Sequence, residues 1–70
     1  MDTFGSRLRE ARLRKHLLQR ELGDMLGFSQ NAISSYERGL NDPSFFAATC
    51  IADALDVSLD WLACRKDTMK

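Results

Sequence analysis

The side chains best equipped for chemistry are few in this sequence and poorly placed for catalysis. His16 is the only histidine, and its position at the end of a basic helical stretch suits capping of the helix dipole better than proton transfer. Cys50 and Cys64 are too few for the disulfide framework of a small secreted domain and match no zinc spacing, so both read as reduced thiols. Asp53, Asp56 and Asp60 read as surface charges, the serines lack a recognisable base and orienting acid, and there is no Gly-rich phosphate loop. These patterns predict no enzyme, no metal and no cofactor. What remains is hydrogen bonding by Gln30, Asn31, Ser34 and Ser35, uncharged donors and acceptors of short to medium length. Such side chains can pair with base edges, Gln and Asn with N6 and N7 of adenine. Polarity alone fits a solvated helix face at least as well.

The elements that must position these residues are helices. No stretch alternates apolar and polar residues for long, and apolar spacing against turn signals predicts five short helices in one all-α domain over residues 1–70. The first runs from about Phe4 to Lys15, with Phe4, Leu8 and Ala11 inward, the arginines on its other faces, and Asp2 or Thr3 as N-cap. The second runs from about Gln19 to Leu26, with Leu17 and Leu22 placed for a hydrophobic staple and Glu21 where a capping box wants an acid. Its cap position falls on Leu18, which has no capping oxygen and should weaken this start by roughly 1 kcal/mol. Gly27 stops it. Ser29 caps a third helix reaching Glu37, and Phe28 and Ile33 form its staple. A fourth spans about Ser44 to Leu55, with Phe45, Ala48, Ala52 and Leu55 as its apolar stripe. Ser58 caps a last short helix to about Ala63, in which Leu59 and Leu62 point inward and Trp61 is partly covered, followed by a short polar tail over residues 65–70.

Residues 19–38 read as two helices joined by a tight turn. Such a crossing needs a small residue at the contact, here Gly23, and a glycine at the turn, here Gly27. Leu22, Leu26, Ile33 and Tyr36 then face a shared core. With Arg7-Leu8-Arg9, Leu17 and Gln19, Leu26-Gly27-Phe28-Ser29, residues 33–39, Pro43-Ser44, Ile51-Ala52 and residues 57–62, the sequence resembles the lambda-repressor-like, or Xre, helix-turn-helix family over nearly its whole length. It departs from the family at Leu18, where a polar cap is usual, and at Gly23, where alanine is usual; both imply a less stable second helix, since helical Gly costs roughly 1 kcal/mol against Ala.

The resemblance implies a protein that binds specific double-stranded DNA and regulates transcription, most simply as a repressor that occupies a promoter. The start of the third helix would enter the major groove, with Gln30, Asn31, Ser34 and Ser35 at base edges. Gln19, Ser29, Arg38 and Asn41 would hold phosphates, contacts that set register but carry little sequence information. Arg12 and Glu37 match positions that form an ion pair between the first and third helices. One domain reads too few base pairs to pick a site from a genome, so a homodimer on a palindromic operator is expected. Phe46, Cys50 and Trp61 are the candidate contacts between copies.

Charge is compatible with this reading without enforcing it. Ten basic and ten acidic residues cancel, but Arg7, Arg9, Arg12, Arg14, Lys15 and Arg20 crowd one stretch while Asp42, Asp53, Asp56, Asp60 and Asp67 lie in the second half. Apolar runs fall far short of the roughly 20 residues of a membrane span, and the N-terminus lacks a signal-peptide pattern, so a soluble, cytoplasmic protein is expected. No small-molecule ligand is evident. Two alternatives stay open: a protein-interaction module such as a toxin-neutralising antitoxin built on the same fold, and a fragment of a longer regulator.

Overall fold

The computed structural model describes residues 2–70. Five helices follow one another: α1 (Phe4–Arg14), α2 (Gln19–Leu26), α3 (Gln30–Glu37), α4 (Phe45–Leu55) and α5 (Leu59–Leu62), with no strand among the described residues. Four of the five starts are closed by a side-chain oxygen. Thr3 accepts from the Ser6 N–H at 3.1 Å while the Ser6 hydroxyl accepts from the Thr3 N–H at 2.9 Å; Ser29, Ser44 and Ser58 accept from the N–H of Ala32, Ala47 and Trp61. These bonds satisfy donors that a helix start otherwise leaves unpaired.

Helix α1 ends at Arg14, two residues before His16. Lys15 is the C-cap, and His16 takes a left-handed backbone (φ 58°) and donates its N–H to Leu13 O at 2.9 Å. His16 thus terminates the helix through its backbone, in a conformation usually left to glycine.

The core is built from Leu8, Ala11, Leu22, Ile33, Ile51, Ala52, Leu55, Trp61 and Leu62. Phe4, Leu17, Leu26, Phe28 and Tyr36 pack against it from partly buried positions. The expected stripe on α4 needs correction: Phe45 is 77% exposed, and Ala47, Ala48, Ile51, Ala52 and Leu55 face inward. Ile51 sets the direction of that face. At 3.6 residues per turn Phe45 lies about 120° around the helix from it.

Two further corrections concern the first helix and the tail. Arg7 is buried, its Cζ 5.0 Å from the centre of the Trp61 ring, and its Nη1 donates to Trp61 O and Lys66 O, each at 2.7 Å. Trp61 itself is only 3% exposed. It seals the core and has no surface to offer another copy, which removes it from the candidate dimer contacts. The tail is docked, with Met69 packed against the core and its carbonyl accepting from the Ser58 N–H.

Candidate nucleic-acid interface

Helices α2 and α3 pack on each other across a turn whose geometry rests on two glycines. Gly27 has φ 74° and closes α2, and the following Phe28 N–H reaches back to Gly23 O at 2.8 Å. A Cβ at Gly23 would lie 2.6 Å from Phe28 O, so the turn runs directly over this residue. The expected penalty of glycine against alanine is therefore offset here by the close approach that glycine permits. A third glycine, unremarked in the sequence, does the same for α1 and α3: a Cβ at Gly5 would lie 2.5 and 2.6 Å from the carbonyl oxygens of Glu37 and Tyr36.

The end of α3 is locked to α1 by a buried ion pair. Arg12 Nε and Nη2 donate to Glu37 Oε2 and Oε1 at 2.6 and 3.0 Å, and the two side chains are 8% and 3% exposed. The third arm of the guanidinium, Nη1, donates to Leu17 O at 2.7 Å, just ahead of α2. One cation thereby ties together α1, the lead-in to α2 and the end of α3. With Arg7 and Arg12 both buried and internally paired, the basic stretch of the sequence is not one solvated face; Arg9, Arg14, Lys15 and Arg20 are its exposed members.

This frame holds α3 with its first turn outward. Gln30 and Asn31 are exposed, and Ser34 and Ser35 follow them four residues later in half-buried positions. Ser29 is exposed and caps the helix. Arg38, the C-cap, and Asn41 are exposed at its other end. A shallow cleft between the two helix starts is lined by Arg12, Leu18, Gln19, Arg20 and Gln30, bringing Gln19 and Gln30 together. The start of α2 is the one helix start without a side-chain cap: Leu18 offers no oxygen, and only the reverse half of the capping box forms, Glu21 Oε1 accepting from the Leu18 N–H at 2.8 Å. Its first-turn N–H groups are open to an anion. Arg20, the last member of the basic stretch, belongs to this cleft.

A helix-turn-helix family profile matches residues 8–62, most of the chain. The chain is a member of the lambda-repressor-like helix-turn-helix family. One relative, the uncharacterized HTH-type transcriptional regulator YqaE of Bacillus subtilis (strain 168), is 37% identical over 59 residues, covering 84% of this chain and 51% of that protein. Among solved structures, the P22 c2 repressor in complex with synthetic operator 9T superposes with a TM-score of 0.88 at 32% identity, covering 94% of this chain and all of that one. SinR, a master regulator for biofilm formation, in complex with DNA, superposes with a TM-score of 0.80 at 31% identity over 86% of this chain and 97% of that one. The chain spans about half the length of the curated relatives it matches. In this lambda-repressor-like domain the outward first turn of α3 and the uncapped start of α2 meet in one cleft, where Gln19, Arg20 and Gln30 stand around the exposed Leu18. No helix among the described residues is long and apolar enough to cross a membrane, and no group of three or more His, Cys, Asp or Glu side chains converges there.

Proposed function

We propose that this lambda-repressor-like domain binds a specific sequence of double-stranded DNA and acts as a transcriptional repressor, with α3 in the major groove. The observation that carries the reading is the exposed first turn of α3, where Gln30 shares a cleft with the uncapped start of α2 and Asn31 is exposed next to it, on a frame locked by Arg12 and Glu37. Amide side chains there suit adenine N6 and N7, with Ser34 and Ser35 one turn on as further base contacts. Gln19 and Ser29 at the two helix starts, with Arg38 and Asn41 beyond α3, fit phosphates on either flank of the groove. The P22 c2 repressor and SinR bind DNA with the same fold at above 30% identity, which supports carrying the activity over.

The domain works as a homodimer on an inverted repeat. Phe46, 73% exposed, and the half-buried Cys50 stand one turn apart on α4, and the exposed Phe45 extends their apolar surface. The reading needs no catalytic group, cofactor or small-molecule ligand, and it implies a cytoplasmic protein that meets DNA directly. Selection of bound duplexes from a random pool at about 0.15 M salt tests it. An inverted repeat with half-sites one helical turn, about 10 bp, apart is the expected product; failure of the folded protein to enrich any sequence refutes the reading.

A further inference from the structure

Glu37 does more than neutralise Arg12. Its Oε1 also accepts a hydrogen bond from Gln19 Nε2 at 3.1 Å, in addition to the Arg12 Nη2 bond at 3.0 Å. The Glu37 side chain is almost wholly enclosed, so this contact is made away from bulk solvent. Two residues at the start of α2 are consequently held by one buried pair: Leu17 through its carbonyl, by Arg12, and Gln19 through its side chain, by Glu37.

An amide side chain has two unlike ends, a carbonyl oxygen that accepts and an NH2 that donates twice, whereas a carboxylate only accepts. Beside Glu37 the Gln19 amide must turn its nitrogen inward, because the flipped amide would set two acceptor oxygens against each other. One N–H is then used by Glu37, and the second remains to donate to an anion at the open start of α2. The Glu37 charge, which would repel a phosphate there, is offset by both arms of Arg12. We infer that Glu37 is a positioning residue for DNA binding: by accepting from Gln19 Nε2 it selects the donor-outward orientation of the Gln19 amide and so presets the phosphate contact made at the start of α2. The same bond ties that contact to the α1–α3 lock, so the scaffold and the phosphate grip are one network.

The inference rests on the DNA-binding reading, and the experiment separates their failures. Gln19→Ala, Glu37→Gln and the double variant are compared with the wild type for binding to the strongest duplex from the selection, by fluorescence anisotropy, at a temperature where melts show all four folded. Gln19→Ala is expected to weaken binding about tenfold, the scale of one charge-assisted hydrogen bond. Glu37→Gln offers Gln19 either a donor or an acceptor and no longer selects an orientation; it should weaken binding about three- to tenfold alone and less than twofold in the Gln19→Ala background. Equal weakening in both backgrounds, or none in either, overturns the inference while leaving the DNA reading intact. A wild type that binds no duplex overturns both. Should Glu37→Gln not fold, the wild type supplies the remaining arm: in 1H–15N spectra the Gln19 side-chain proton held by Glu37 should lie downfield of its geminal partner, and the partner should shift strongly when the duplex is added. A Gln19 pair with free-amide shifts, or a partner proton unmoved by the duplex, overturns the inference.

Discussion

Replacing Glu37 by alanine should nearly unfold this domain, and the size of the effect follows from the geometry of the pair. Both side chains are buried, and Arg12 makes two of its three hydrogen bonds to Glu37. Truncating one partner leaves the guanidinium inside the protein with only Leu17 O, a change that costs about 3–5 kcal/mol. A 70-residue domain has a total stability of only about 3.5–10 kcal/mol at typical values per residue. In a domain of this size each kcal/mol moves the melting midpoint by about 4–8 °C, so a fall of more than 12 °C is expected. Urea titration is the assay, followed by the fluorescence of Trp61, the single tryptophan, which is buried and reports on the core. Removing both charges, as Arg12→Met with Glu37→Met, should recover most of the loss, because the desolvation cost of the orphaned cation disappears with it. A cost for Glu37→Ala below about 1 kcal/mol, the range of exposed pairs, would refute the reasoning and mean that water reaches the site.

Three other substitutions test the packing. Gly5→Ala drives a methyl group into the last carbonyls of α3 and should lower stability by about 1–3 kcal/mol in urea titration, despite the better helix propensity of alanine. Leu18→Ser supplies the missing cap of α2 at a position 60% exposed, and should raise stability by about 0.5–1 kcal/mol, read as a higher thermal midpoint. Trp61→Ala should cost about 3–5 kcal/mol as a core truncation, with sedimentation of the folded fraction showing unaltered self-association.

Much of this fold was legible because its punctuation is local. Ser29 and Ser58 act as the caps their position ahead of apolar spacing predicts, Ser44, expected as the first residue of α4, is its cap, and Gly27 closes α2 as expected. Gln30 and Asn31 could be singled out because Ile33 and Leu22 leave α3 only one outward side at its start. The failures come from tertiary packing. Phe45 satisfied a helical spacing with Ala48 and Ala52, but the inward direction of α4 is set by Ile51 and Leu55, whose partners lie on other helices. The burial of Arg7 did leave a signal: positions 4, 7, 8 and 11 follow the i, i+3, i+4, i+7 pattern of one helix face, so Arg7 shares the side of Phe4, Leu8 and Ala11. Its charge disguised it as part of a solvated basic stretch. No spacing rule could reveal the Gln19–Glu37 bond or the Gly5 contact, since each joins residues from helices whose crossing the sequence does not state.

The central claim is that the first turn of α3 reads bases, and Gln30→Ala tests it most directly. Affinities of the wild type and the variant would be measured at about 0.15 M salt for the selected duplex, its single base-pair variants and a scrambled duplex. The wild type should prefer the selected duplex over the scrambled one by about a thousandfold or more. Gln30→Ala should lose about 5- to 150-fold of discrimination at one A·T pair in each half-site while keeping its preference at the other positions. A variant with the full wild-type preference at every base pair would contradict the account.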